Sequence, residues 1–135
     1  WLLDSGTGYL GYLDGERFER VVFLPGYARG LSFAGRYAIV GLSRPRHDPS
    51  FTGLPLQDEL DRRKAKPKCG VFIVNLDSGD IEEWVELDEP LHELYDVAVL
   101  PGVVRPKMLG FKNDAIRYTV TSEGSAGIWQ SKELS

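Results

Sequence analysis

The stretches LDGERFERVVFL, residues 13–24, and LDSGDIEEWVEL, residues 76–87, align without a gap. Each begins with Leu-Asp, passes through a polar turn that contains glycine, and continues as a run in which bulky apolar side chains recur. Glycine and aspartate suit the tight turns of β-hairpins, and the apolar runs are too short for typical helices. The two stretches therefore predict two β-hairpins built on one pattern.

The match continues beyond the hairpins. Residues 31–33 (LSF) align with residues 97–99 (VAV), and residues 40–42 (VGL) align with residues 109–111 (LGF). The offset changes only at predicted turns, as sheet units joined by loops of variable length require. Each copy gives an outer hairpin, a loop, a short inner strand with small side chains and a further strand, which is the order expected of a β-propeller blade.

Short strands separated by turns account for most of the chain, in line with its 15 glycines and 8 prolines. The fold class predicted is all-β, with antiparallel propeller-like blades. Residues 1–135 are expected to form one domain fragment of about two to two and a half blades from a larger propeller. Strands are predicted over residues 1–3, 9–13, 18–24, 30–33, 37–43, 70–76, 81–87, 95–100, 107–111 and 116–121.

Residues 45–68 interrupt this pattern as an inserted loop. The segment is polar with proline near both ends, and a short helix is predicted over residues 56–64. In a blade the insertion falls between the second and third strands. Because loops carry function more often than strands do, it is either a place to look for specificity or a solvated surface excursion.

Composition excludes several classes of protein. The formal net charge of −4 argues against nucleic acid as a partner, which requires concentrated Lys and Arg. No apolar run is long enough to span a bilayer, so no membrane association is predicted. Cys69, the single cysteine, cannot form an internal disulfide, and it is interpreted as a small buried apolar residue. A cytoplasmic location is therefore predicted.

Five ordered motifs point to a family. They are residues 24–31 (LPGYARGL), 41–44 (GLSR), 52–56 (TGLPL), 69–71 (CGV) and 93–102 (ELYDVAVLPG). With these motifs the chain resembles a bacterial family whose members carry a domain of unknown function and are sometimes fused to tetratricopeptide repeats. The resemblance covers most of the chain up to about residue 112; since family members are much longer, it implies the C-terminal part of a larger propeller-like domain. It implies no activity, substrate or catalytic residue.

Candidate ligand-binding residues lie in the loops before the two predicted inner strands. Equivalent positions in two blades could direct all of them toward one mouth of the propeller axis, where they would form a polar pocket. Those before the first inner strand are Tyr27 and Arg29, and those before the second are His92, Glu93, Tyr95 and Asp96.

A further candidate group follows the predicted strand over residues 37–43. It contains Arg44 and His47, and a guanidinium beside histidine could bind a carboxylate or phosphate bidentately. The alternative is the ordinary role of arginine in satisfying turns and loops.

Two functions remain open at this point. The favoured one is a non-catalytic binding or scaffolding module with a protein or small-molecule ligand. The alternative is a metal-assisted hydrolase, similar to a lactonase, in which His92, Glu93 and Asp96 bind a divalent ion at the axial mouth. Catalytic residues and cofactors remain unassigned from the sequence, and no Gly-x-Ser-x-Gly elbow is present to indicate nucleophilic catalysis. Open sheet edges predict self-association.

Overall fold

Antiparallel strands dominate the computed structural model, which describes residues 1–44 and 53–106 and the strand residues 119–121 and 128–130. The predicted all-β class is confirmed. The strands are β1 Leu2–Asp4, β2 Tyr9–Asp14, β3 Arg17–Phe23, β4 Tyr27–Ala34, β5 Tyr37–Ser43, β6 Gly70–Asn75, β7 Ile81–Glu86, β8 Thr119–Thr121 and β9 Ile128–Gln130, and the helix α1 is Pro55–Arg63.

The chain divides into two compact units, Trp1–Val99 and Leu100–Ser135. The first unit contains a three-stranded sheet in the order β1-β2-β3 and a four-stranded sheet in the order β4-β5-β6-β7. In the second unit β8 pairs with β9 in antiparallel fashion. The expectation of one domain over residues 1–135 stays a prediction.

The two stretches that match in sequence both form antiparallel hairpins. The first is β2–β3, with Asp14 paired to Arg17 at its turn, and the second is β6–β7, with Val74 paired to Ile81. Each hairpin contains one shift of register. Such a shift marks a β-bulge, which bends the strand and increases its twist.

The core lies between the two sheets of the first unit. Side chains alternate along each strand, so Leu10 of the first sheet and Val40 and Val74 of the second reach the same core, with zero exposure. Each such side chain contributes about 1.5–3 kcal/mol when it leaves water. The buried members of the cluster are Leu10, Leu24, Ala28, Ala38, Val40, Leu42, Phe72 and Val74.

Helix α1 lies within the insertion between β5 and β6 of the four-stranded sheet. It packs on the three-stranded sheet β1-β2-β3. Leu56 and Leu60, four residues apart on one helical face, are 2% and 1% exposed. The Leu56 amide donates to the Gly6 carbonyl at 2.9 Å, and Arg63 Nη2 donates to the Tyr9 hydroxyl at 2.8 Å. The predicted helix over residues 56–64 is confirmed within one residue at each end. Over the described residues no helix has the length and apolar character that crossing a membrane requires.

The strand predicted over residues 95–100 is wrong, and the last two predicted strands lie wholly or partly outside the described residues. Residues 95–100 form no strand. Among the described residues this backbone pairs with no strand, and the segment instead lies across β4, where the Val99 amide donates to Ser32 Oγ at 3.2 Å. The strand predicted over residues 107–111 lies outside the described residues, and of residues 116–121 only β8 is described.

Candidate functional site

Most of the candidate residues lie at one end of the four-stranded sheet. The register places Tyr27 opposite Ser43, Leu42 opposite Gly70, and Gly70 opposite Glu86. After β7 the chain turns back over this end and continues across β4. We call residues Leu87–Val99 the crossing segment.

Backbone and serine contacts attach the crossing segment to β5. The Ser43 hydroxyl, 3% exposed, donates to the Leu94 carbonyl at 3.0 Å and lies 3.0 Å from the Leu94 amide, which donates to it in turn. The Arg44 amide donates to the His92 carbonyl at 2.8 Å. These bonds satisfy part of the polar backbone of a segment that pairs with no described strand.

Arg44 holds the first half of the crossing segment. Its Nη2 donates to the carbonyls of Leu87 and Leu91, both at 3.1 Å, and its Nη1 lies 4.0 Å from Glu89 Oε1. A guanidinium can bridge two carbonyls because its donors are fixed in one plane. These contacts give Arg44 a positioning role for residues 87–92, and its contact with a ligand anion stays a prediction.

We expect Arg44→Met to destabilise the chain by about 1–3 kcal/mol, because two carbonyls lose a charged donor. Urea unfolding at neutral pH measures the change. The matched control is Arg17→Met, since the Arg17 side chain is 85% exposed and pairs only with Glu19 at 3.6 Å among the described residues. Exposed pairs of that kind contribute under about 1 kcal/mol. Equal effects of the two substitutions would contradict the positioning role.

The second half of the crossing segment contributes to an aromatic and cationic cluster. The guanidinium carbon of Arg29 lies 5.1 Å from the ring centroid of Tyr27 and 5.3 Å from that of Tyr95. The Tyr95 hydroxyl donates to Glu93 Oε2 at 2.9 Å. Tyr95 is 72% exposed. We call Tyr27, Arg29, Glu93 and Tyr95 the tyrosine–arginine cluster.

The remaining candidate residues make separate contacts. His92 Nε2 lies 2.8 Å from Glu89 Oε2, and Asp96 Oδ1 accepts a hydrogen bond from the Val97 amide at 2.8 Å. His47 lies outside the described residues. Within the described part of the chain, no three or more His, Cys, Asp and Glu side chains are grouped so that they could hold a metal ion. The structure therefore joins four of the predicted residues in one cluster and places His92 with Glu89.

Sequence reasoning assigned no role to two contributing residues. Ser43 faces the crossing segment, and counting back from the Gly35 turn along the β4–β5 hairpin places it opposite Ala28; it lies opposite Tyr27 because the register shifts by one residue between Arg29 and Leu31. Glu89 lies three residues before His92, a spacing that permits an ion pair. Neither residue stands out by composition, because serine and glutamate are common in loops.

Cys69 lies beneath this end of the sheet and is fully buried, as predicted. Burial raises the pKa of its thiol, because the charged thiolate loses its water. Since the thiolate is the reactive form, this environment suppresses nucleophilic chemistry at Cys69.

Comparison with known proteins gives a family and no named relative. No curated protein and no solved structure matches the chain. The family model described as Domain of unknown function (DUF4915) matches residues 1–109, a region that contains both sheets of the first unit, helix α1 and the tyrosine–arginine cluster. The expected domain of unknown function is thereby confirmed, and the chain belongs to the DUF4915 family.

Proposed function

We propose that the chain is a non-catalytic binding or scaffolding module of β-propeller type that takes a protein partner at the tyrosine–arginine cluster. The observation that carries the proposal is the position of Arg29, whose guanidinium lies over the rings of both Tyr27 and Tyr95. The contact joins β4 to the crossing segment, so both elements contribute to one exposed surface.

The propeller part of the proposal is supported by strand order. The four-stranded sheet β4-β5-β6-β7 is an antiparallel meander, which is the arrangement of one blade. The crossing segment then lies on the face of that sheet that carries Gly41: a Cβ built on Gly41 would lie 3.0 Å from Val97 Cγ1. The inner strand of a following blade would lie in the same place, and residues 97–99 align with residues 31–33 of β4.

The binding part is supported by the chemistry of the cluster. Tyrosine and arginine are enriched among the residues that contribute most to protein–protein binding, because they combine large contact area with directed polar groups. A guanidinium stacked on rings keeps its N–H donors in its own plane, where they can meet acceptors on a partner. The Tyr27 and Tyr95 rings restrict the motion of Arg29, which lowers the entropy lost on binding.

The contacts of the three proposed metal ligands favour binding over metal-assisted hydrolysis. His92 pairs with Glu89, Glu93 accepts from Tyr95, and Asp96 accepts from the Val97 amide. A metal site would require all three side chains to leave these partners and converge on one ion.

The test uses a phage-displayed random peptide library selected on the full chain. Peptides that bind are then titrated by calorimetry against the wild type, Arg29→Ala and Tyr95→Ala. We expect each substitution to weaken binding by about 2 kcal/mol, roughly thirtyfold, since truncation of a central residue costs that much.

Arg36→Ala is the matched control. The Arg36 guanidinium lies 5.3 Å from the Tyr37 ring centroid, so it makes the same kind of contact at the opposite end of the β4–β5 hairpin. Its removal should leave affinity unchanged. A selection that yields no peptide, or peptides that bind Arg29→Ala as well as the wild type, would overturn the proposal.

A further inference from the structure

Arg29 and Arg44 are the two partly buried arginines among the described residues, and their side chains have different partners. The Arg44 guanidinium donates to two carbonyls of the crossing segment. Over the same described residues, the Arg29 guanidinium forms no ion pair and no hydrogen bond, and it lies against the rings of Tyr27 and Tyr95. The cation of the tyrosine–arginine cluster therefore has no polar partner within the described chain.

This arrangement leaves Arg29 with free hydrogen-bonding capacity. Partial burial removes water from the guanidinium, and only an acceptor or an opposite charge replaces what that water supplied. The two rings attract the positive charge, but they do not replace the oxygen acceptors that the N–H groups bond in water. A ligand that brings such an acceptor therefore gains a contact that the protein itself does not make.

The shape and charge of the site favour a carboxylate among anions. A guanidinium holds pairs of N–H donors in one plane, and a planar carboxylate accepts two of them side by side. Two acids flank Tyr95 in the crossing segment and have partners of their own: Glu93 accepts from the Tyr95 hydroxyl, and Asp96 accepts from the Val97 amide. Their negative charges repel a phosphate dianion more strongly than a singly charged carboxylate.

The Tyr95 ring adds an apolar surface beside the guanidinium. Tyr95 is 72% exposed, and its ring centroid lies 5.3 Å from the guanidinium carbon of Arg29. An exposed ring is stabilised when an apolar side chain covers it, because apolar surface leaves water. A ligand with an apolar group next to its carboxylate would contact the cation and the ring together.

We propose that the tyrosine–arginine cluster binds a peptide carboxylate, with Arg29 as its bidentate partner and an apolar side chain of the same peptide on the Tyr95 ring. This inference rests on the proposed function, because it names the chemistry by which the protein partner is recognised. The carboxylate belongs either to an Asp or Glu side chain or to the carboxyl terminus of the partner. Both sources offer the same planar anion, and the experiment separates them.

The test uses two synthetic random heptapeptide libraries, one with a free carboxyl terminus and one with an amidated terminus. Each library is applied to the wild-type chain and to Arg29→Ala, and the retained peptides are identified by mass spectrometry. We expect the peptides that only the wild type retains to contain a carboxylate next to an apolar residue. Enrichment of Asp and Glu in both libraries assigns the carboxylate to side chains, whereas retention from the free-terminus library alone assigns it to the terminus.

Calorimetry on the wild-type chain then measures the contact without any change to the protein. Replacement of the peptide carboxylate by the corresponding amide should weaken binding at least about tenfold, because charge-assisted hydrogen bonds are lost. The same replacement should have little effect on binding to Arg29→Ala, since the partner of the carboxylate is already absent. In the control Arg36→Ala it should weaken binding as much as in the wild type.

Two results would overturn the inference, and they differ in what they mean for the proposed function. If peptides that depend on Arg29 lack a carboxylate, or bind the wild type equally well as amides, the binding surface stands and its carboxylate chemistry is wrong. If no peptide depends on Arg29, both the inference and the proposed function are wrong.

Discussion

Gly30→Ala is expected to destabilise the chain by about 3 kcal/mol or more and to release the crossing segment from β4. Gly30 has φ of 73°, and a Cβ there would lie 2.5 Å from the Val97 amide nitrogen and 2.7 Å from Asp96 Cα. The left-handed backbone alone costs a residue with a side chain about 1–2 kcal/mol. The contact adds to this, because backbone atoms of the crossing segment must move to admit a methyl group.

Gly35→Ala separates the two contributions. Gly35 has φ of 58° in the β4–β5 turn, and a Cβ there meets no atom within 4 Å. Its substitution should cost about 1 kcal/mol, from backbone strain alone. Urea unfolding gives both free energies, and hydrogen exchange should be faster at Leu94 and Val97 in Gly30→Ala only. Equal costs for the two variants would show that the crossing segment does not press on Gly30.

Leu60→Ala is expected to lower the free energy of unfolding by about 2–5 kcal/mol. Leu60 is 1% exposed on the buried face of α1, and truncation of a leucine in such a site removes apolar contact and leaves a cavity. The higher helix propensity of alanine offsets only a small part of this loss. Equilibrium unfolding in urea, followed by tryptophan fluorescence, measures the change.

Leu91→Ala serves as the control for this substitution. Leu91 is 50% exposed, so truncation should cost well under about 1 kcal/mol. If Leu60→Ala were no more destabilising than Leu91→Ala, the helix would not be anchored to the first sheet through its apolar face.

The strands were predictable where turn residues and the alternation of apolar side chains define them. β5 runs over Tyr37–Ser43, the bounds that alternation and the preceding Gly35 indicate, and the two matched hairpins form where their turns predict them. Turn residues and period-two alternation act over a few neighbours, so a sequence window contains them. Residues 95–100 carry the same alternation. A strand also needs a partner strand, and a short stretch of sequence does not show whether a distant segment will pair with it.

The candidate site was predictable in part for a similar reason. Tyr27 and Arg29 are two residues apart on one strand, which places them on one face. Their contact with Tyr95 depends on the route of the crossing segment, a property of the whole sheet. The role of Arg44 was not predictable either, because the carbonyls of Leu87 and Leu91 converge on it only after the chain turns back over the sheet end.

The docking of α1 on the first sheet has a consequence for the order of folding. The helix lies between β5 and β6 in the chain, so the ribosome releases it long after β1, β2 and β3. Until Leu56 and Leu60 emerge, the nascent β2–β3 hairpin lacks the apolar cover that α1 gives it in the finished protein. Because a β-hairpin draws much of its stability from packing against other elements, the early strands gain this part of their stability only after α1 has been made.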